Sequence, residues 1–250
     1  MLDKKEFILK IKEYENNFKK FVQNDDFPQY TLYTKEISLS VADAQGYDSI
    51  ASTHFDIQKG IHTLTISSNM ALYEYIIFHE FTHMLDSELY VNNDKLRYMG
   101  LSGFTEYHAS QVELMKMLGS QTIYDRKAFS MNTTIHTISG YKSVKQYLAE
   151  KQQHAIELFS RDDFPSCLET LKSSLGVLFN YWGLRSICEM YATDYVEEIK
   201  NQIFLEYIPT IYFILLNNHM RGWLNKSDID ASISLYANTF SMLATKYNLV

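Results

Sequence analysis

Phe7, Ile11, Tyr14, Phe18 and Phe21 recur every three or four residues in a background rich in lysine and glutamate. This period predicts an amphipathic helix over residues 3 to 22, with one stripe laid on a core. "NDDFPQ" ends it. The stretch "YTLYTKEISLSV" (30 to 41) is rich in β-branched and aromatic residues and predicts a strand. "YDSIASTHFDI" and "IHTLTIS" predict two more, with "QKG" as the turn between antiparallel neighbours. The run "ALYEYIIFHEFTHMLDSE" (71 to 88) reads as a helix with few polar positions.

Past the polar "VNNDK" and "LRYMGLSGF", the segment "TEYHASQVELMKMLG" predicts a helix with Thr105 or Ser102 as N-cap and Gly119 as the C′ residue. Residues 120 to 142 show no clear period and are expected to form a loop or a short hairpin. From there to the end the pattern is helical. Ser143 to Gln146 and Ser166 to Glu169 fit the capping-box pattern, and Ser227 is placed to cap a last helix containing Ile229, Ile233 and Tyr236. The layout is α+β: a core over residues 1–142 with a small sheet and early helices, then a helical extension over 143–250. No linker separates them, so the extension is expected to pack on the core as one unit.

Composition narrows the function classes. The chain has 250 residues, 46% of them hydrophobic, enough for a sizeable core. A net charge of −7 lacks the electrostatic footprint of a nucleic-acid-binding protein. The most apolar window, "IFLEYIPTIYFILL" (203 to 216), holds Glu206 and Pro209 and falls short of the roughly 20 apolar residues of a membrane span. It is expected to be a core helix kinked at Pro209. Cys167 and Cys188 are too far apart for a C-x-x-C site and are expected to be free thiols, and the charged start has no signal-peptide character. A cytoplasmic protein without a membrane partner is the expectation; the oligomeric state is not legible.

The 71–88 run poses a chemical question. Burying an unpartnered polar group costs on the order of 1–3 kcal/mol, yet His79, Glu80 and His83 sit among Tyr75, Ile76, Ile77, Phe78, Phe81, Met84 and Leu85. On a helix, residues four apart share a face. His79 and His83 can therefore aim two imidazole nitrogens at one cation, with Glu80, about 100° around the helix, beside that point as a general base. Catalytic zinc sites usually take three protein ligands, and Glu106 is the candidate third. Glu106, Ala109, Ser110 and Glu113 share one face, whose small residues would let it approach the motif helix. Glu113 is the alternative ligand, or a hydrogen-bond partner for a ligand histidine. His108 points to nearly the opposite face and is expected to pack or meet solvent. His54 and His62 alternate on predicted strands and are expected at the surface or a cleft rim. "FNYWGLRSICEMY" is expected to be core. Tyr98, Tyr141 and Tyr191 are candidates for an oxyanion donor.

"HEFTHMLD" followed by "EYHA" resembles the zincin superfamily of metallopeptidases, in its glutamate-third-ligand (gluzincin) type. The wording is similar to ImmA/IrrE-like peptidases and to the Mlc titration factor and anthrax lethal factor peptidases. The likeness covers roughly residues 45 to 118. ImmA/IrrE proteins often carry glycine before the second motif histidine and asparagine or aspartate after the E-x-x-A alanine; Thr82 and Ser110 stand there. The resemblance implies a zincin-like core of twisted sheet and active-site helices. It implies one Zn2+ per chain on His79, His83 and Glu106, with Glu80 as base and Asp86 as an acceptor for a ligand imidazole. It also implies that "IHTLTIS" is the edge strand above the cleft, where a peptide or protein substrate would lie antiparallel. The function so implied is zinc-dependent endopeptidase; the alternative is a regulatory interaction protein on the same fold with little or no hydrolysis.

Overall fold

The computed structural model of the chain describes residues 4–37, 50–197 and 202–250. The amphipathic stripe forms α1 (Lys4–Val22), with Phe7, Ile11, Tyr14, Phe18 and Phe21 all buried. Three strands follow: β1 (Tyr30–Lys35), β2 (Ala51–Asp56) and β3 (Ile61–Ser67). β1 is shorter than expected: Glu36 and Ile37 leave the ladder, and 38–41 lie outside the described residues. The β2–β3 turn closes as expected, with Gly60 at φ 65° donating its N–H to the Asp56 carbonyl at 2.8 Å. A side chain is disfavoured in that left-handed conformation.

One expectation is overturned here. The strand order is β1-β3-β2, with β3 parallel to β1 and antiparallel to β2. "IHTLTIS" is therefore the central strand. Its main-chain groups are engaged on both sides, so it offers no edge to a substrate. The outer strands of the described sheet are β1 and β2.

The motif helix is α2 (Glu74–Tyr90), and β2 lies against it. A four-residue connection, Val91–Asp94, leads into α3 (Lys95–Met117). Asn92 and Asn93 there take left-handed backbone at φ 51° and 59°, which asparagine tolerates better than most residues. α3 begins ten residues before Thr105, so neither Thr105 nor Ser102 is its N-cap. "MGLSG" looks like a loop, but Gly100 and Gly103 are points of close helix contact: a Cβ on Gly100 would come 2.7 Å from Ile233, and one on Gly103 2.3 Å from the Tyr236 ring. At the other end Gly119, φ 78°, does occupy C′. Ser120 N–H donates to the Met115 carbonyl and Gly119 N–H to that of Lys116, a Schellman closure.

A hairpin of β4 (Thr134–Thr137) and β5 (Gly140–Ser143) follows, then α4 (Val144–Phe159), α5 (Leu168–Tyr191), α6 (Phe204–Tyr207), α7 (Thr210–His219) and α8 (Lys226–Lys246). Ser143 and Gln146 form the expected capping box. The box at α5 is displaced by one residue, with Cys167 N–H donating to Thr170 Oγ1. Asn225, not Ser227, caps α8, accepting from the Ser227 and Asp228 N–H groups. The 203–216 run is broken rather than kinked: Pro209, which has no N–H to give a preceding turn, is the N-cap of α7. No helix among the described residues is long and apolar enough to cross a membrane.

The chain divides into two units, Met1–Lys95 with Val112–Asp125, and Leu96–Gln111 with Arg126–Val250. The expected boundary after residue 142 falls within β5, inside the second unit. α3 is one unbroken helix with residues in both. The first unit is built on aromatic packing between α1 and α2: Phe18 and Phe21 place their rings 5.3 and 5.4 Å from Phe78, and Phe27 meets Phe81 at 5.0 Å. The core of the second unit is α5, where Leu178, Phe179, Trp182, Ile187 and Cys188 are fully buried, as the aromatic stretch predicts. Arg185 is buried there too, which the pattern did not suggest. Its guanidinium donates to the Asn217 side chain and to the carbonyls of Asn217 and Met220 at 3.3 and 3.2 Å. A cation there meets the negative, carbonyl end of α7.

Candidate metal centre

The site grows from the α2–α3 hairpin. Short connections make consecutive helices antiparallel neighbours, and contacts inside the first unit step in opposite directions along the two. Lys116 Nζ lies 3.1 Å from Glu74 Oε2, and one turn further along α2 His79 meets Glu113. Asn17 on α1 also donates to Glu74 at 2.7 Å. These pairs set the register in which the motif is presented.

α2 is buried around most of its circumference because α1 packs on its phenylalanines and β2 lies alongside. Only two motif side chains keep partial access to solvent, and they are His79 and His83. Their rings are 4.8 Å apart, centroid to centroid, and inclined at 73°. His79 Nδ1–H donates to Glu113 Oε2 at 2.9 Å, and Glu113 is itself buried. A carboxylate on one ring nitrogen fixes the tautomer, so that the other, Nε2, offers a lone pair.

Glu113 thus takes the role of histidine partner. Glu106, seven residues earlier on the same helix, lies two turns away on the same face. The ligand atoms of His79, His83 and Glu106 all lie within 4.8 Å of one another, and each residue is half-buried. Zinc held at about 2.0–2.2 Å by three tetrahedral ligands would space them roughly 3.4 Å apart. Two imidazoles and a carboxylate are the donor chemistry that suits zinc. The group has three members among the described residues. Glu80 is 6% exposed, on the motif helix beside the histidine face. Asp86, which the resemblance makes an imidazole acceptor, is buried at 1%; the acceptor seen on His79 is Glu113.

Other expectations fare variously. Ala109 and Ser110 do permit a close helix approach, but in the second unit it is to α5: Ser110 Oγ donates to Asn180 at 2.8 Å, and a Cβ on Gly183 would stand 3.0 Å from Ser110 Cβ. Glu106 lies along the same helix, with its carboxylate 3.7 Å from where a Gly176 Cβ would be. His108 packs, stacked on Phe104 at 5.5 Å. His54 is exposed, but His62 is buried, stacked on Phe55 at 4.3 Å with Nε2 3.3 Å from Glu88. Burial pushes its pKa down, partly offset by Glu88. Tyr141 is largely exposed on the β-hairpin against His136, Tyr191 accepts from Trp223 Nε1 at 3.0 Å, and Tyr98 is half-buried on α3.

Comparison of the chain with known protein families, with curated proteins and with solved structures found no match.

Proposed function

We propose that the chain is a zinc-dependent endopeptidase built on a zincin-like core, holding one Zn2+ through His79, His83 and Glu106. The observation that carries this reading is the convergence of those three ligand atoms within 4.8 Å, on a helix pair that also supplies a buried carboxylate to orient His79. Zinc in such a site acts as a Lewis acid that polarises a peptide carbonyl and makes water nucleophilic near neutral pH. The protein's own groups do the rest. Glu80 takes the proton of the attacking water and returns it to the leaving amine. Glu113 holds His79 in one tautomer and one orientation, so that its Nε2 lone pair would be available to a cation. With β3 paired on both sides, a substrate strand would have to add at an outer edge of the sheet or be held by side chains alone. The unbridged Cys167 and Cys188 suit a reducing compartment such as the cytoplasm.

The test begins with metal analysis of protein purified without added metal. About one zinc per chain is expected, and its loss in His79→Ala and His83→Ala. Glu80→Gln should keep the metal and lose cleavage of a denatured protein substrate by at least about a hundredfold, the scale of general-base catalysis. A wild-type chain that neither carries nor takes up zinc refutes the reading, as does undiminished metal-dependent cleavage by Glu80→Gln.

A further inference from the structure

The second unit contains a tyrosine whose hydroxyl is buried. Tyr236 on α8 is 2% exposed, and its OH has no hydrogen-bond partner among the described residues. A buried hydroxyl left unpaired costs on the order of 1–3 kcal/mol, and phenylalanine at this position would avoid the cost. The ring is closely held: it packs on Phe179 at 5.4 Å and lies over Gly103, whose missing Cβ makes room for it. Gly103 is one turn before Glu106 on α3, and Phe179 is one turn after Gly176 on α5, the glycine against which the Glu106 side chain rests. Tyr236 and Glu106 are therefore set against the same pair of helices, one turn apart on each. The negative charge of Glu106 adds to burial in holding the Tyr236 phenol protonated, above its usual range. The tyrosine thus brings an O–H donor to the same pair of helices as the carboxylate that the zinc reading requires to be fixed.

We infer that Tyr236 is the positioning residue of Glu106: when Glu106 serves as a metal ligand, the Tyr236 hydroxyl donates a hydrogen bond to its carboxylate and holds it in one orientation. This rests on the zinc reading above. Ligating carboxylates are commonly held by such outer hydrogen bonds, and losing one typically weakens metal binding 10- to 100-fold. Gly103 and Gly176 then have a shared purpose, one admitting the tyrosine ring and the other admitting the glutamate stem.

The test is Tyr236→Phe, with zinc affinity measured by competition with a chromophoric chelator between pH 5.5 and 8, alongside unfolding of the metal-free protein. The inference predicts about tenfold weaker zinc binding. The metal-free variant should be as stable as wild type or more so. In a Glu106→Gln background, Tyr236→Phe should change zinc affinity much less, since the charged acceptor is gone. Equal affinities of wild type and Tyr236→Phe across the pH range overturn the inference and leave the zinc reading standing. An equal loss in both Glu106 backgrounds also overturns it, marking the tyrosine as packing only. Absence of zinc binding by the wild-type chain is the separate outcome that removes the reading beneath it.

Discussion

Gly176 and Gly183 lie two turns apart on one face of α5, and alanine should act in opposite senses at the two. At Gly183 a Cβ would stand 2.2 Å from the Tyr107 carbonyl oxygen and 3.0 Å from Ser110 Cβ. An ordinary carbon–oxygen contact is about 3.3–3.6 Å, so the two backbones must separate by about 1 Å. The obstructing atom belongs to the α3 main chain and has no rotamer to escape into. Overpacking of this kind costs about 1–3 kcal/mol, against a gain of about 0.8–1 kcal/mol from replacing glycine inside a helix. The expected net loss is up to about 2 kcal/mol, or up to roughly 8 °C in Tm at the 2–4 °C per kcal/mol usual for this size. At Gly176 the nearest atoms are Glu106 Cγ and Oε1 at 3.7 Å, an ordinary contact. There the propensity gain of roughly 0.5–1 kcal/mol should prevail and raise Tm by about 1–4 °C. Thermal unfolding of the metal-free variants, followed by far-UV circular dichroism, measures both. A Gly183→Ala protein as stable as Gly176→Ala would refute the claim that α3 and α5 cross in backbone contact at this point.

Two further outcomes follow from the site and the sheet. Glu113→Ala should weaken zinc binding about 10- to 100-fold, with Glu113→Gln between it and wild type, because glutamine can still accept from His79 but carries no charge; chelator competition reads this, and an unaltered constant in Glu113→Ala would show that the carboxylate does not orient the ring. His62, depressed by burial below the ordinary value of 6.5, is protonated more readily in the unfolded chain than in the folded one. Its contribution to stability is therefore complete above pH 6.5 and is lost as pH falls from there to its folded value. Urea midpoints at pH 7.5 and 5.5 should drop less in His62→Phe than in wild type, and equal drops would contradict the assignment.

The sequence made the motif helix legible because its chemistry and its period agree: two histidines at i and i+4 leave little choice of geometry. α1 was readable for the same reason, its aromatic stripe being matched by the buried Phe18 and Phe21. What misled was glycine. In "RYMGLSGF" the residues usually taken as helix breakers are contact points, and the packing of Ile233 and Tyr236 on them is a long-range fact with no local signature. The start of α3 was missed on that account, and with it the mid-helix setting of Glu106. Strand order was hidden likewise: pairing β1 beside β3 in parallel depends on what the sheet packs against, and an alternating strand looks the same at an edge or a centre. Glu113 was legible as one of two roles, and the structure shows it hydrogen-bonded to His79.

Arg185 gives the second unit an internal reporter. Its guanidinium is sealed in the middle of α5 by the carbonyls that close α7, so trypsin can reach the following peptide bond only when that helix has come apart. In the limit where reclosing outpaces cleavage, the rate of appearance of the fragment ending at Arg185 measures the equilibrium population of the opened state. Cuts after exposed lysines and arginines elsewhere will accumulate sooner, and the interval between the two is a direct gauge of how cooperatively the helical half holds together.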